Sequence, residues 1–143
     1  MTYRDLVKQL LDARDDASVS LRGLAARTGV ALSTLTAMEQ GSSWPRLSTM
    51  AAAADALDRR LCLDGVEDIP GAVMAKAQAG WVRLDGFAHK AGVRPQTVYT
   101  LRRDGRQLSM ETLLRLSLTA RLTWSLETSP PAPTEMSGPI ANR

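Results

Sequence analysis

The sequence has few of the residues that many binding and catalytic sites require. One cysteine, Cys62, and one histidine, His89, exclude an internal disulfide and a zinc site built from these residue types. Aromatic residues make up 4% of the chain, which favours small helices packed through alanine and leucine over a β-sandwich core. No segment approaches the ~18 consecutive apolar residues of a membrane span, and MTYRDLVKQLLDARDD does not resemble a signal peptide. We therefore expect a folded, mainly helical protein in a reducing cytoplasm.

Catalytic patterns are missing as well. The sequence contains no Ser/His/Asp set, paired carboxylate site, glycine-rich phosphate loop or metal-ligand cluster. We expect His89 to lie on a helix surface and Cys62 to pack within a layer of strands. The sequence thus predicts a protein that is not an enzyme and that uses no cofactor.

Charge is distributed unevenly along the chain. Residues 1–68 contain 8 Lys+Arg and 10 Asp+Glu, whereas residues 69–128 contain 9 and 4. A basic half joined to an acidic half indicates a polyanionic partner that is held mainly by the second half.

Hydrophobic periodicity predicts a series of short helices in the first half. Thr2 with Asp5 and then Ser20 are candidate N-caps, and Gly29 and Gly41 are candidate helix ends. The expected helices span residues 2–13, 21–28, 33–40 and, as a fourth and a fifth segment, 47–57. An alternating run at residues 60–64 predicts a strand.

The second half repeats the first at a distance of 63 residues, without a gap. Arg121 to Glu127 alternate as residues 60–64 do, so each copy is expected to be helical and to end in one strand. The identical pairs are Val19/Val82, Leu21/Leu84, Gly23/Gly86, Ala25/Ala88, Gly29/Gly92, Val30/Val93, Thr34/Thr97, Thr49/Thr112 and Leu63/Leu126.

Two lone strands should pair, because an unpaired strand exposes its backbone groups. Antiparallel pairing within the chain would relate the copies by a pseudo-twofold axis, and pairing between two chains is the alternative. We expect domains at residues 1–64 and 72–128, a linker at 65–71, a helix from residue 72 to residue 80, and a disordered tail at 129–143.

The segments that meet at each paired glycine have the composition of a helix-turn-helix, with a small residue in the first helix and apolar residues that lock the second. The stretch SLRGLAARTGVALSTLTAMEQGSSWPRLSTMAAAADAL resembles the Cro/lambda-repressor-like helix-turn-helix family, also called the XRE family, over about residues 3–63. Residues 72–126 are a more divergent match. The resemblance implies a mainly α fold of two tandem lambda-repressor-like domains, each followed by a short strand.

The resemblance also implies roles for individual residues. Base-reading positions correspond to Ala31, Leu32, Ser33, Thr36, Ala37 and Gln40 in the first copy, and to Arg94, Pro95, Gln96, Tyr99, Thr100 and Arg103 in the second. Phosphate contacts correspond to Ser20, Arg22, Ser42, Ser43, Trp44 and Arg46, and to Arg83, Arg102, Arg106, Gln107 and Ser109. Glu39 is expected to form a structural salt bridge with Arg14, whose counterparts in the second copy are Arg102 and Ala77.

These features predict a sequence-specific DNA-binding regulator, a repressor that uses two unlike recognition helices on one operator. The second copy supplies most of the cations. The alternative is an antitoxin or antiactivator in which one copy binds a protein partner. Double-stranded DNA is the expected ligand, no membrane contact is expected, and the sequence leaves open a homodimer and a protein partner.

Overall fold

The chain was described from a computed structural model that covers residues 2–128. The tail that was expected to be disordered, residues 129–143, lies outside the described residues. Within residues 2–128 the helices are α1 Tyr3–Asp16, α2 Leu21–Thr28, α3 Leu32–Gln40, α4 Leu47–Ala56, α5 Ile69–Gly80, α6 Leu84–Ala91, α7 Pro95–Asp104 and α8 Met110–Thr119, and the strands are β1 Arg59–Leu63 and β2 Trp124–Thr128. The mainly helical fold with a two-stranded antiparallel sheet is therefore confirmed. None of these helices is both long and apolar enough to cross a bilayer.

Local signals explain where the first helices begin and end. Thr2 and Asp5 form a capping box: the Asp5 amide donates to Thr2 Oγ1 over 3.2 Å, and the Thr2 amide donates to Asp5 Oδ2 over 2.9 Å. Hydrogen bonding of the Asp5 carboxyl to the backbone and then to the side chain of Thr2 lowers the pKa of this carboxyl. Ser20 caps α2, and Gly29 ends it in the left-handed region at φ 76°.

Several boundaries differ from the sequence-based expectation, and α1 continues to Asp16 instead of ending near residue 13. The fourth and fifth segments are one continuous helix, α4, because its four successive alanines favour unbroken helix. Helix α5 begins at Ile69, not at residue 72, since Asp68 caps it and Pro70 is tolerated in a first turn. Strand β2 begins at Trp124, after Arg121 reverses the chain at φ 59° behind α8.

One continuous hydrophobic core runs through both halves of the described chain. Its largest fully buried side chains include Leu24 in α2 and Phe87 at the corresponding place in α6. Trp124 is also buried, and its indole Nε1 donates to Ser117 Oγ over 2.7 Å, which satisfies both polar groups. Trp81 is half-buried, with its ring centroid 4.9 Å from that of Phe87.

The two strands pair antiparallel within the chain, in a register centred on residues 63 apart. Cys62 lies opposite Ser125. Cys62 is fully buried in this layer, as expected, and burial raises the pKa of its thiol.

A second contact has the same spacing. Arg46 forms an isolated antiparallel bridge with Ser109. Around it the Leu47 amide donates to the Leu108 carbonyl over 2.9 Å, and the Met110 amide donates to the Pro45 carbonyl over 2.8 Å. The two bonds are equivalent under the 63-residue repeat, because Met110 is the counterpart of Leu47 and Leu108 is the counterpart of Pro45. Contacts between the halves are reciprocal on a larger scale too, because α1 packs on β2 and α5 packs on β1.

Candidate nucleic-acid interface

Helices α2 and α3 form a helix-turn-helix with a three-residue turn, residues 29–31. Gly29 supplies the positive φ that this turn needs. Leu24 in α2 and Leu35 and Met38 in α3 are each fully buried, so one side of α3 is locked against the core. The opposite side of α3 is left for contact with a partner.

The outward side of α3 offers short side chains. Ala31, Ser33 and Gln40 are exposed, while Leu32, Thr36 and Ala37 are half-buried. The Thr36 hydroxyl donates to the Leu32 carbonyl over 2.9 Å, so towards a ligand it can act only as an acceptor. In α3, Gln40 is therefore the predicted base-reading residue with the greatest polar reach.

Helices α6 and α7 meet across the same kind of turn, residues 92–94, with Gly92 also at φ 76°. Val98 and Leu101 lock α7 against the core. Its predicted base-reading residues are more exposed than those of α3. Arg94, Pro95, Gln96, Tyr99 and Arg103 are exposed, whereas Thr100 is half-buried.

Cations are concentrated around α7. Arg94, Arg102, Arg103 and Arg106 are all exposed. Within residues 2–128, none of these four arginines lies within ion-pair distance of a carboxylate. Their charges are thus available to a polyanion, because none of them is held in an ion pair within the described residues.

Arg14 and Glu39 form a two-pronged ion pair that ties α1 to the end of α3. Arg14 Nε lies 2.8 Å from Glu39 Oε2, and Nη2 donates to Oε1 over 3.0 Å. Arg14 Nη1 also donates to the Val19 carbonyl over 3.1 Å. In the second half Ala77 is fully buried at the position of Arg14, and Arg102 is exposed at the position of Glu39. Helix α7 therefore has no such ion pair.

Most of the predicted phosphate-contact residues are exposed, and several of them already make a contact within the chain. Exposed members are Ser20, Arg22, Ser42, Ser43, Trp44, Arg46, Arg83, Arg102, Arg106 and Gln107, and Ser109 is half-buried. Ser20 Oγ accepts from the Gly23 amide and Ser109 Oγ from the Thr112 amide, so both hydroxyls already serve as N-caps. Ser42 Oγ donates to the Ala37 carbonyl. Arg83 Nη2 lies 3.8 Å from Asp85 Oδ2.

Two relationships in this region could not be read from the sequence. Arg46 Nη1 donates to Gln107 Oε1 over 3.0 Å, so candidate phosphate contacts from both halves lie side by side. Trp44 packs on Tyr3, with their ring centroids 4.5 Å apart. The first contact forms only where the two halves pack together, whereas the second joins α1 to the loop after α3 within the first half, and no local motif signals either contact.

Comparison with known proteins gives one family match. A helix-turn-helix family model matches residues 10–63, which include α2, α3 and β1. No curated protein and no solved structure matches significantly. Residues 10–63 thus support an XRE-like helix-turn-helix, a domain type of DNA-binding transcription regulators that is not typically enzymatic.

Proposed function

We propose that the chain is a sequence-specific DNA-binding repressor in which two unlike helix-turn-helix units, residues 1–64 and 72–128, occupy one operator. The observation that carries this proposal is the pairing of residues 63 apart at two separate places, Cys62 with Ser125 and Arg46 with Ser109.

A twofold axis between two copies brings each residue near the axis against its own counterpart. A 63-residue repeat makes Ser125 the counterpart of Cys62 and Ser109 the counterpart of Arg46. Two such pairs of counterparts would lie on the axis and fix its position. The reciprocal packing of α1 on β2 and of α5 on β1 is what this axis would produce. The halves would therefore be related as the two subunits of a symmetric dimer are.

The proposal requires α3 and α7 to face the same side of the molecule. Dimeric helix-turn-helix proteins place their recognition helices in successive major grooves, about 34 Å apart. Here the two helices differ in chemistry: arginine and Gln96 can form paired hydrogen bonds with guanine and adenine, whereas Leu32 and Ala37 can only contact thymine methyls or sugars. One chain would thus prefer an asymmetric operator.

The proposal is tested by selecting bound sites from random duplex DNA and measuring the mass of the complex. We expect one chain on a short asymmetric consensus, with stronger base preference under α7. A perfect palindrome bound by two chains would contradict the fused arrangement. If the selection enriches no DNA sequence, the proposal of sequence-specific DNA binding is wrong.

Gln40 and Arg103 occupy corresponding positions and give a matched pair of variants. Arg103→Ala should cost about 1–3 kcal/mol of binding if it contacts guanine, and should relax the preference for one base pair. Gln40→Ala should cost less, because an amide that makes one neutral hydrogen bond contributes less than a charged fork. Fluorescence anisotropy over a salt series measures both variants. Lys76→Ala, an equal charge change at an exposed position of α5, is the control and should leave base preference unchanged.

The second candidate is a protein-binding role for the first unit, as in an antitoxin or antiactivator. It is favoured by the outward side of α3, whose predicted contact residues include no cation. Joint replacement of Ser33 and Thr36 by alanine separates the two roles. If site preference is unchanged, α3 does not read bases and its surface is free for a protein.

A further inference from the structure

An open groove of about 590 Å³ lies between the start of α1, the loop after α3, helix α8 and strand β2. This volume is in the range of small-molecule sites. Its apolar walls come from Tyr3, Trp44, Leu114, Leu118, Leu122 and Trp124. Leu118 is 79% exposed, and the predicted DNA-contact positions leave its exposure unexplained.

The corresponding groove in the other half provides an internal comparison. It lies between α4, β1 and the start of α5, and it holds only about 60 Å³. Asp55 and Arg59 stand there at the positions of Leu118 and Leu122, and Glu67 and Asp68 also line it. An apolar ligand would have to remove water from these charges, so only the groove beside Leu118 is suited to one.

The polar groups around the larger groove favour an anion. Arg121 lines it and is exposed, and no carboxylate lines it or pairs with Arg121 within residues 2–128. The Tyr3 hydroxyl is buried beside it without a hydrogen-bond partner in the described residues. Burial raises the pKa of Tyr3 to about 12, so this hydroxyl stays protonated near neutral pH.

We propose that this groove binds a small amphipathic carboxylate, with its apolar body between Trp44 and Leu118 and its carboxylate at Arg121. A regulatory role rests on the proposed function. Trp44 belongs to the loop that joins α3 to α4 and also carries Arg46, one of the predicted phosphate contacts. Occupancy of the groove therefore shifts this loop and changes DNA affinity.

Decanoate is a suitable probe, and the full chain can be titrated with it in the absence of DNA. Trp44 and Trp124 line the groove, so binding should change tryptophan fluorescence in a saturable, one-site manner. Decyltrimethylammonium has the same apolar chain and the opposite charge. It should bind about tenfold more weakly, as expected when a charged hydrogen bond of about 1.5 kcal/mol is lost.

Variants of Leu118 in α8 and of Arg121, which follows α8 in the chain, test the location of the site. Arg121→Gln should weaken decanoate about tenfold and leave uncharged decanol unchanged. Leu118→Asp, which copies Asp55, should abolish binding of both, and its exposed position makes folding robust, as circular dichroism can verify. Leu118 and Arg121 also border a neighbouring groove beside Trp81, so Lys90→Gln, which removes an exposed cation of that groove alone, is the control and should change nothing.

The proposal is overturned if decanoate binds these groove variants as it binds the natural chain. It is also overturned if sedimentation shows self-association that Leu118→Asp abolishes while decanoate does not bind, because the groove would then join two copies of the chain. A final titration with the selected operator tests regulation alone. Unchanged DNA affinity at saturating decanoate would remove the regulatory role and leave the ligand site standing, whereas failure to bind any DNA would refute the proposed function without touching the fluorescence result.

Discussion

The two halves of the molecule form the same three-residue turn but surround it with different chemistry. In the first half Glu39 pairs with Arg14, and Ser20 caps α2. At the positions of Glu39 and Ser20 the second half has Arg102 and Arg83, both exposed and neither acting as a cap. The difference teaches that one position can either stabilise the turn or present a cation to a ligand, and that each half has a different balance of the two.

The second half has an aromatic contact whose counterparts in the first half, Ser18 and Leu24, are not aromatic. Ala77 is fully buried at the position of Arg14, and Trp81 meets Phe87 with an interplanar angle of 62°. Such edge-to-face pairs stabilise by about 0.5–1.5 kcal/mol beyond their buried area. Phe87 is also larger than Leu24, its counterpart. This aromatic pair therefore stabilises only the basic half.

The largest expected effects come from breaking either core. Phe87→Ala should cost about 3–5 kcal/mol and Leu24→Ala about 2–5 kcal/mol, because each leaves a cavity in a fully buried site. Since the core is continuous and α1 packs on β2, each variant should unfold the described chain in one transition. Urea unfolding followed by circular dichroism and by tryptophan fluorescence measures this. Two separate transitions would show that the halves are independent, and exposed Leu118→Ala is the control, with a change below about 0.5 kcal/mol.

Local elements of this fold could be predicted closely from the sequence. The capping box at Thr2, the cap at Ser20 and the glycine at φ 76° each act through neighbouring residues, so their signals are local. Two predicted boundaries were wrong for local reasons. Helix α5 begins earlier than predicted because Asp68 caps it, and strand β2 begins later than predicted because a turn follows α8.

Contacts between residues far apart in the chain were only partly predictable. A 63-residue repeat and two lone strands were enough to predict antiparallel pairing. They could not reveal that Arg46 bonds Gln107, or that Tyr3 packs on Trp44 beside a groove. The first contact depends on how the two halves pack together, and the second depends on how α1 packs on the loop after α3 within the first half. The roles of α3 and α7 in reading bases stay predictions.

The Arg14–Glu39 pair gives an effect of intermediate size. Its side chains are 19% and 13% exposed, between a surface pair and a buried one, so Glu39→Ala should cost about 2 kcal/mol. Glu111→Ala breaks the exposed pair with Arg115 on α8, where the side chains are about half exposed, and should cost less than about 0.5 kcal/mol. Thermal or urea unfolding compares them. Equal small losses would mean that the first half gains nothing from its ion pair and that this contrast between the halves is wrong.

The smallest effect, and the one that tests the contrast most directly, exchanges a cap for a cation. Ser20→Ala removes the oxygen that accepts from the Gly23 amide and should destabilise the protein by about 1 kcal/mol. Arg83 has the extended backbone of an N-cap, at φ −128° and ψ 138°, but makes no side-chain cap bond. Arg83→Ser should therefore stabilise the protein by about 0.5–1 kcal/mol, and should weaken DNA binding with a salt slope reduced by about 0.9 if Arg83 neutralises one phosphate.

Opposite signs in the unfolding and binding measurements of Arg83→Ser are the expected result, because one side chain cannot both cap α6 and reach a phosphate. If Arg83→Ser stabilises without weakening binding, the cation at this position serves no ligand. The difference between the halves at that helix start would then be a plain loss of stability.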